Sequence, residues 1–77
     1  MSDMNIPEAV DRIRKADEPM AVFRSRQPEC LNVVFARTAR TCALINRRSP
    51  DYVGTFHSSD DPKVVRRALE HYVQGGA

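Results

Sequence analysis

The apolar residues of this chain change period twice, from about 3.6 residues near the N-terminus to about two in the middle and back again, so helices must flank a sheet. Asn5-Ile6-Pro7-Glu8 reads as a helix start: a capping side chain, a proline in the first turn, and an acid at the positive end of the helix dipole. Ile6, Ala9, Val10, Ile13 and Ala16 then share one face, with Asp11, Arg12, Arg14 and Lys15 elsewhere on the wheel. Pro19 disfavours helical geometry at Glu18, which predicts a first helix over about residues 6–17.

From Met20 to Ser58 short runs rich in Val, Ile, Phe and Thr alternate with turn residues, the pattern of strands. Four are predicted, at about 20–26, 30–37, 41–47 and 52–57. In the second, Leu31, Val33 and Phe35 share the better core face. The third, with Ala43 and Ile45 opposing Cys42, Leu44 and Asn46, is apolar on both sides and reads as a central strand. Gly54 in the fourth marks a bulge or close packing. Short connections predict antiparallel pairing of neighbours as a meander.

Ser58-Ser59-Asp60-Asp61-Pro62 places a capping acid directly before a proline and predicts a second helix over about 61–74. Val64, Val65, Ala68, Leu69, Tyr72 and Val73 form its expected buried face, with Lys63, Arg66, Arg67 and Glu70 outside it. Gly75-Gly76 supplies the left-handed stop, and Ala77 is expected to fray. The expectation is therefore a single α+β domain over residues 1–77. It is a two-layer αββββα sandwich of N-terminal helix, antiparallel three- to four-stranded meander and C-terminal helix, with one sheet face left to solvent or a partner.

Size bears on function. At 77 residues, the apolar burial available barely exceeds the ordering entropy, so a preformed pocket of about 300–1,000 Å³ is not expected within one protomer. No apolar run reaches the roughly 20 residues of a membrane helix and no signal-peptide pattern opens the chain, which points to a cytoplasmic protein without membrane partners. Cys30 and Cys42 lack the spacing of a zinc site and are expected as reduced, small apolar groups on strands. His57 and His71 have no nucleophile and orienting acid at a suggestive spacing, and Asp60 and Asp61 are explained by capping. With three glycines, two of them near the C-terminus, a phosphate-cradling loop has no material. No catalytic residues, metal or cofactor are expected, and the chain reads as a non-enzyme.

Charge is unevenly spread. Residues 24–48 hold Arg24, Arg26, Arg37, Arg40, Arg47 and Arg48 against one acid, Glu29, whereas both ends are mildly acidic. Arginine supplies ten of the twelve basic residues, and its planar fork suits carboxylate or phosphate. The bland reading is that arginines occupy exposed strand and turn positions to keep edges from aggregating. The sharper one is a small regulator or inhibitor that docks an arginine-lined sheet or hairpin surface, Arg24, Arg26, Arg37, Arg40, Arg47, Arg48 and an exposed Tyr52, on an acidic face of a larger protein assembly. Such a chain resembles, as a class, the small host-directed accessory proteins of bacteriophages and mobile elements. Two alternatives stand beside it: a nucleic-acid-binding module adding Lys63, Arg66 and Arg67, and a homo-dimer or larger homo-oligomer pairing through a strand edge.

Overall fold

A computed structural model describes residues 3–74, with no account of the Gln74 side chain. The expected glycine stop at Gly75-Gly76 and the fraying of Ala77 lie outside the described residues. The elements follow as α1 (Ile6–Lys15), β1 (Met20–Arg24), β2 (Leu31–Phe35), α2 (Ala39–Asn46), β3 (Tyr52–Phe56) and α3 (Pro62–Gln74), an α+β arrangement with a three-stranded antiparallel sheet.

Both outer helices begin where their caps predict. Asn5 Oδ1 accepts from Glu8 N–H at 2.9 Å while Glu8 Oε1 accepts from Asn5 N–H, closing a capping box. Asp61 Oδ1 accepts from Lys63 N–H at 2.9 Å and starts α3, with Pro62 in the first turn. The buried stripe of α3 differs in phase from expectation. Val65 and Leu69 are buried, Ala68, Tyr72 and Val73 are half-buried, and Val64 is 61% exposed. A stripe through Val65, Ala68, Leu69, Tyr72 and Val73 keeps i, i+3, i+4 spacing, and Val64 falls a hundred degrees away from Val65.

The main correction concerns residues 41–47: 41–46 form helix, with Arg47 as its C-cap, and not the central strand. Thr38 Oγ1 accepts from Thr41 N–H at 3.3 Å, which satisfies one of the open donors of the first turn, and Ala39, Ala43 and Leu44 favour helical geometry. The apolar residues that suggested a two-sided strand are largely left open on α2: Ala43 and Leu44 are exposed, and Cys42 and Ile45 are half-buried. Three strands remain, in the order β2-β1-β3, so the central strand is β1. Met20 to Phe23 are all buried, as a strand covered on both faces must be. β2 and β3 run the same way on either side of β1, and α2 is the crossover between them.

Met20, Val22, Leu31, Val33 and Val53 form one core with Ala9 and Ile13 of α1 and Val65 and Leu69 of α3. Both outer helices therefore cover the same sheet face. Ala21 and Phe23 point the other way and are buried too, Phe23 against the Tyr52 ring and beside Thr41 and Leu44 of α2. The second face is thus not left bare, although Thr41 is the one fully buried residue α2 contributes. Phe35, expected in the core with Leu31 and Val33, ends β2 and is 41% exposed. Gly54 satisfies both readings of it. The β1–β3 register skips Val53, and a Cβ on Gly54 would come within 3.2 Å of the Phe56 ring.

Candidate functional site

Strand direction sorts the arginines into two groups. β1 ends at Arg24 where β2 begins, and Arg24 N–H donates to Asp51 O at 2.7 Å, so the β1–β2 loop and the α2–β3 loop lie at one end of the sheet. That end carries Arg24, Arg26, Arg47 and Arg48. Arg37 and Arg40 lie at the opposite end, where β2 finishes and α2 starts. Because α2 is a helix, Arg40 and Arg47 are two turns apart, about 10 Å along its axis. A single face holding all six does not exist.

Within the first group the roles divide. Arg26 is exposed in the loop, since β1 stops at Arg24, and so does not share a strand face with it. Arg24 does not project outward: it is half-buried, with its guanidinium carbon 5.9 Å from the Tyr72 ring centroid and its Nε enclosed without a hydrogen-bond partner. Arg47 caps the C-terminal end of α2, and Arg48 follows with φ 53°, in the left-handed region. Arg48 N–H donates to Ile45 O and Ser49 N–H to Leu44 O, the paired bonds of a Schellman ending. Arginine stands where glycine is the usual residue. Among the described residues, no carboxylate lies within 4 Å of Arg24, Arg26, Arg47 or Arg48.

Tyr52 is half-buried at that end, its ring 5.5 Å from Phe23 and its hydroxyl bonded with Thr55 Oγ1 at 2.7 Å, so it is not the exposed aromatic expected. At the other end Arg37 Nε donates to Glu18 Oε1, whereas Arg40 is exposed without such a partner among the described residues. On α3, Arg66 pairs with Glu70 at 3.0 Å, while Lys63 and Arg67 are exposed.

The other chemistry-bearing groups serve local structure. Asp60 Oδ2 accepts from His57 N–H at 2.8 Å, and His57 Nδ1 accepts from Ser59 N–H, which closes the turn before α3. His71 is exposed against the edge of Tyr72. Cys42 lies on α2 and not on a strand, its thiol donating to Ala36 O at 3.1 Å, and Cys30 precedes β2; both are free. Asp11 accepts from Lys15 and Arg14, and these hydrogen bonds hold its carboxyl below the ordinary carboxylate range. No three metal-ligating side chains gather among the described residues, and no helix there is long and apolar enough to cross a membrane.

Two grooves of about 500 and 480 Å³ flank Phe35, a size not expected of so short a chain. They are open surface features made by α1 beside β2 and by α2 standing off the sheet, so neither requires hollowing out the core. The first is lined by Glu8, Asp11, Asp17 and Glu18 together with Arg12 and Lys15. The second reaches from under α2 around the β2 edge: Phe23, Asn32 and Val34 line it from the second sheet face, Phe35 and Arg12 from the first, and Leu44 and Arg40 from α2. Sequence reasoning missed Arg12 in this setting. Its one signal, a position off the apolar stripe of α1, does not reveal that β2 ends beneath it.

Comparison with known proteins adds no relative. No family model matches the chain, and neither a curated protein nor a solved structure resembles it significantly.

Proposed function

We propose that this chain is a non-catalytic binding protein that docks the Arg26, Arg47 and Arg48 end of its sheet on an acidic face of a larger protein. The reading rests on Arg48. A left-handed backbone costs a residue with a Cβ on the order of 1 kcal/mol, and glycine at the same place would avoid it. Strain of this kind clusters at functional sites, and the other described non-glycine residue with a left-handed backbone, Glu29 at φ 62°, lies in the Arg26 loop at the same end of the sheet. Beside Arg48, Arg47 and Arg26 extend from two loops brought together by the Arg24–Asp51 backbone bond, and none has a carboxylate partner among the described residues. Desolvated arginine forks are common anchors of protein interfaces. Arg37 and Arg40 fall outside this surface. Binding here requires no moving part, and occlusion of the partner's acidic face suffices for regulation or inhibition.

The test is affinity capture from lysate with cross-linking, comparing the native chain with Arg47→Glu/Arg48→Glu and with Lys63→Glu/Arg67→Glu. The proposal expects one dominant acidic protein, lost in the first variant and kept in the second. Salt-dependent binding of duplex or single-stranded nucleic acid, lost with Lys63→Glu/Arg67→Glu, would install the nucleic-acid reading in its place. A dimer in light scattering that survives both variants would favour pairing through the β2 or β3 edge.

A further inference from the structure

The groove under α2 combines three features that point to a ligand of its own. First, its walls are apolar where a small domain would ordinarily seal them. Phe35 is 41% exposed and Leu44 is 38% exposed, and Phe23 and Val34 form the floor. Leu44 sits on the crossover helix and borders the groove instead of closing it, because α2 buries one residue, Thr41, and stands off the sheet. Second, the rim is cationic. Arg12 lies over the Phe35 ring with its guanidinium carbon 5.6 Å from the centroid, and Arg40 borders the groove from α2. Neither has a carboxylate within 4 Å among the described residues, and Asp51 is the one acid lining the groove. Third, the volume of about 480 Å³ falls within the range of small-molecule sites.

The neighbouring grooves show that this combination is particular. The groove on the α1 side is similar in size and shares Arg12, but its four acids, Glu8, Asp11, Asp17 and Glu18, outnumber Arg12 and Lys15 and disfavour an anion. The space between Val10, Ile13 and His57 is about 10 Å³, too small for an organic ligand. Thr38 Oγ1, which lines the groove, is engaged with Thr41, donating to its Oγ1 and accepting from its N–H, and Asn32 Oδ1 in the lining is an acceptor that offers an anion nothing. Charge and apolar area carry the selectivity at this end. Charge complementarity selects an anion, and the two exposed large apolar side chains select one with a hydrocarbon body.

We infer that the α2 groove binds a small amphipathic organic anion, a carboxylate on an apolar chain or ring. The carboxylate sits between Arg12 and Arg40, and the apolar part lies along Phe35, Leu44, Val34 and Phe23. Arginine forks hold carboxylates bidentately, and burying the hydrocarbon removes Phe35 and Leu44 from water. The inference stands apart from the acidic-protein reading, since Arg26, Arg47 and Arg48 do not line this groove.

Decanoate below its micelle-forming concentration is the probe, titrated into the isotopically labelled full chain by NMR and calorimetry, with decyltrimethylammonium and decanol as charge controls. The expected result is saturable one-to-one binding, with shifts concentrated at Phe35, Arg40 and Leu44 and decanoate favoured about tenfold or more over either control. Arg12→Gln and Arg40→Gln should each weaken decanoate about tenfold with an unchanged circular dichroism spectrum, and Leu44→Gln should weaken all three amphiphiles. Any of four results would overturn the inference: no saturable shifts into the millimolar range, equal binding of the three amphiphiles, shifts confined to the α1 groove, or displacement of decanoate by an acidic apolar peptide that binds more tightly.

Discussion

Thr38 accepts the backbone N–H of Thr41 three residues on, and that one contact begins the helix that carries the chain from one edge of the sheet to the other. Thr41 is also the single buried polar residue among those described, its hydroxyl held by Thr38. Thr38→Ala removes the cap and leaves the buried Thr41 hydroxyl without its partner. The expected loss is about 1–2 kcal/mol in urea unfolding. A loss near zero would mean that α2 contributes nothing to the cooperative unit.

Arg48→Gly separates stability from function. Glycine relieves the left-handed strain and should raise stability by about 0.5–1 kcal/mol, read as a higher denaturation midpoint at constant slope. Capture of the acidic partner should weaken at least tenfold in the same variant, the loss typical of an interface anchor. Destabilisation would show that the Arg48 side chain supports the fold.

The phase of the α3 stripe makes a paired prediction. Leu69 is fully buried, and Leu69→Ala should cost about 2–5 kcal/mol, enough to leave a domain of this size marginal. Val64 is 61% exposed, and Val64→Ala should change stability by no more than about 0.5 kcal/mol. Comparable losses at the two positions would contradict the helix orientation described above.

Asp11 supplies the pH dependence. Hydrogen bonds from Lys15 and Arg14 lower its pKa in the folded chain, so the ionised form is favoured by folding. Its contribution is fully present above the unfolded pKa and is lost as pH falls through the lower folded value. An NMR titration should place the Asp11 midpoint below its ordinary 3.8, and Lys15→Met should move it back up. Because the group is exposed, the movement should shrink in high salt.

Much of the architecture is local and therefore legible along the chain. Asn5 with Glu8, and Asp61 with Pro62, define helix starts through contacts spanning two or three residues, so no distant part of the molecule is needed to set them. Leu31 and Val33 belong to the core because alternation along a strand is itself local. Residues 41–47 show where that legibility ends. Their apolar pattern suits a strand covered on both faces as well as a helix beside a sheet, and in the structure they follow the Thr38 cap as helix while β1 is the central strand. The same holds for the candidate sites. Arginines close in sequence, Arg40 and Arg47, separate to opposite ends of a helix, while Arg26 joins Arg47 and Arg48 through the pairing of two loops. Arg12 meets Arg40 across a groove that neither α1 nor α2 contains alone. The caps, the starts of the outer helices and the alternating faces depend on near neighbours in the chain and are readable there. The crossover and the grouping of charges depend on which strands pair, and so they emerge with the assembled fold.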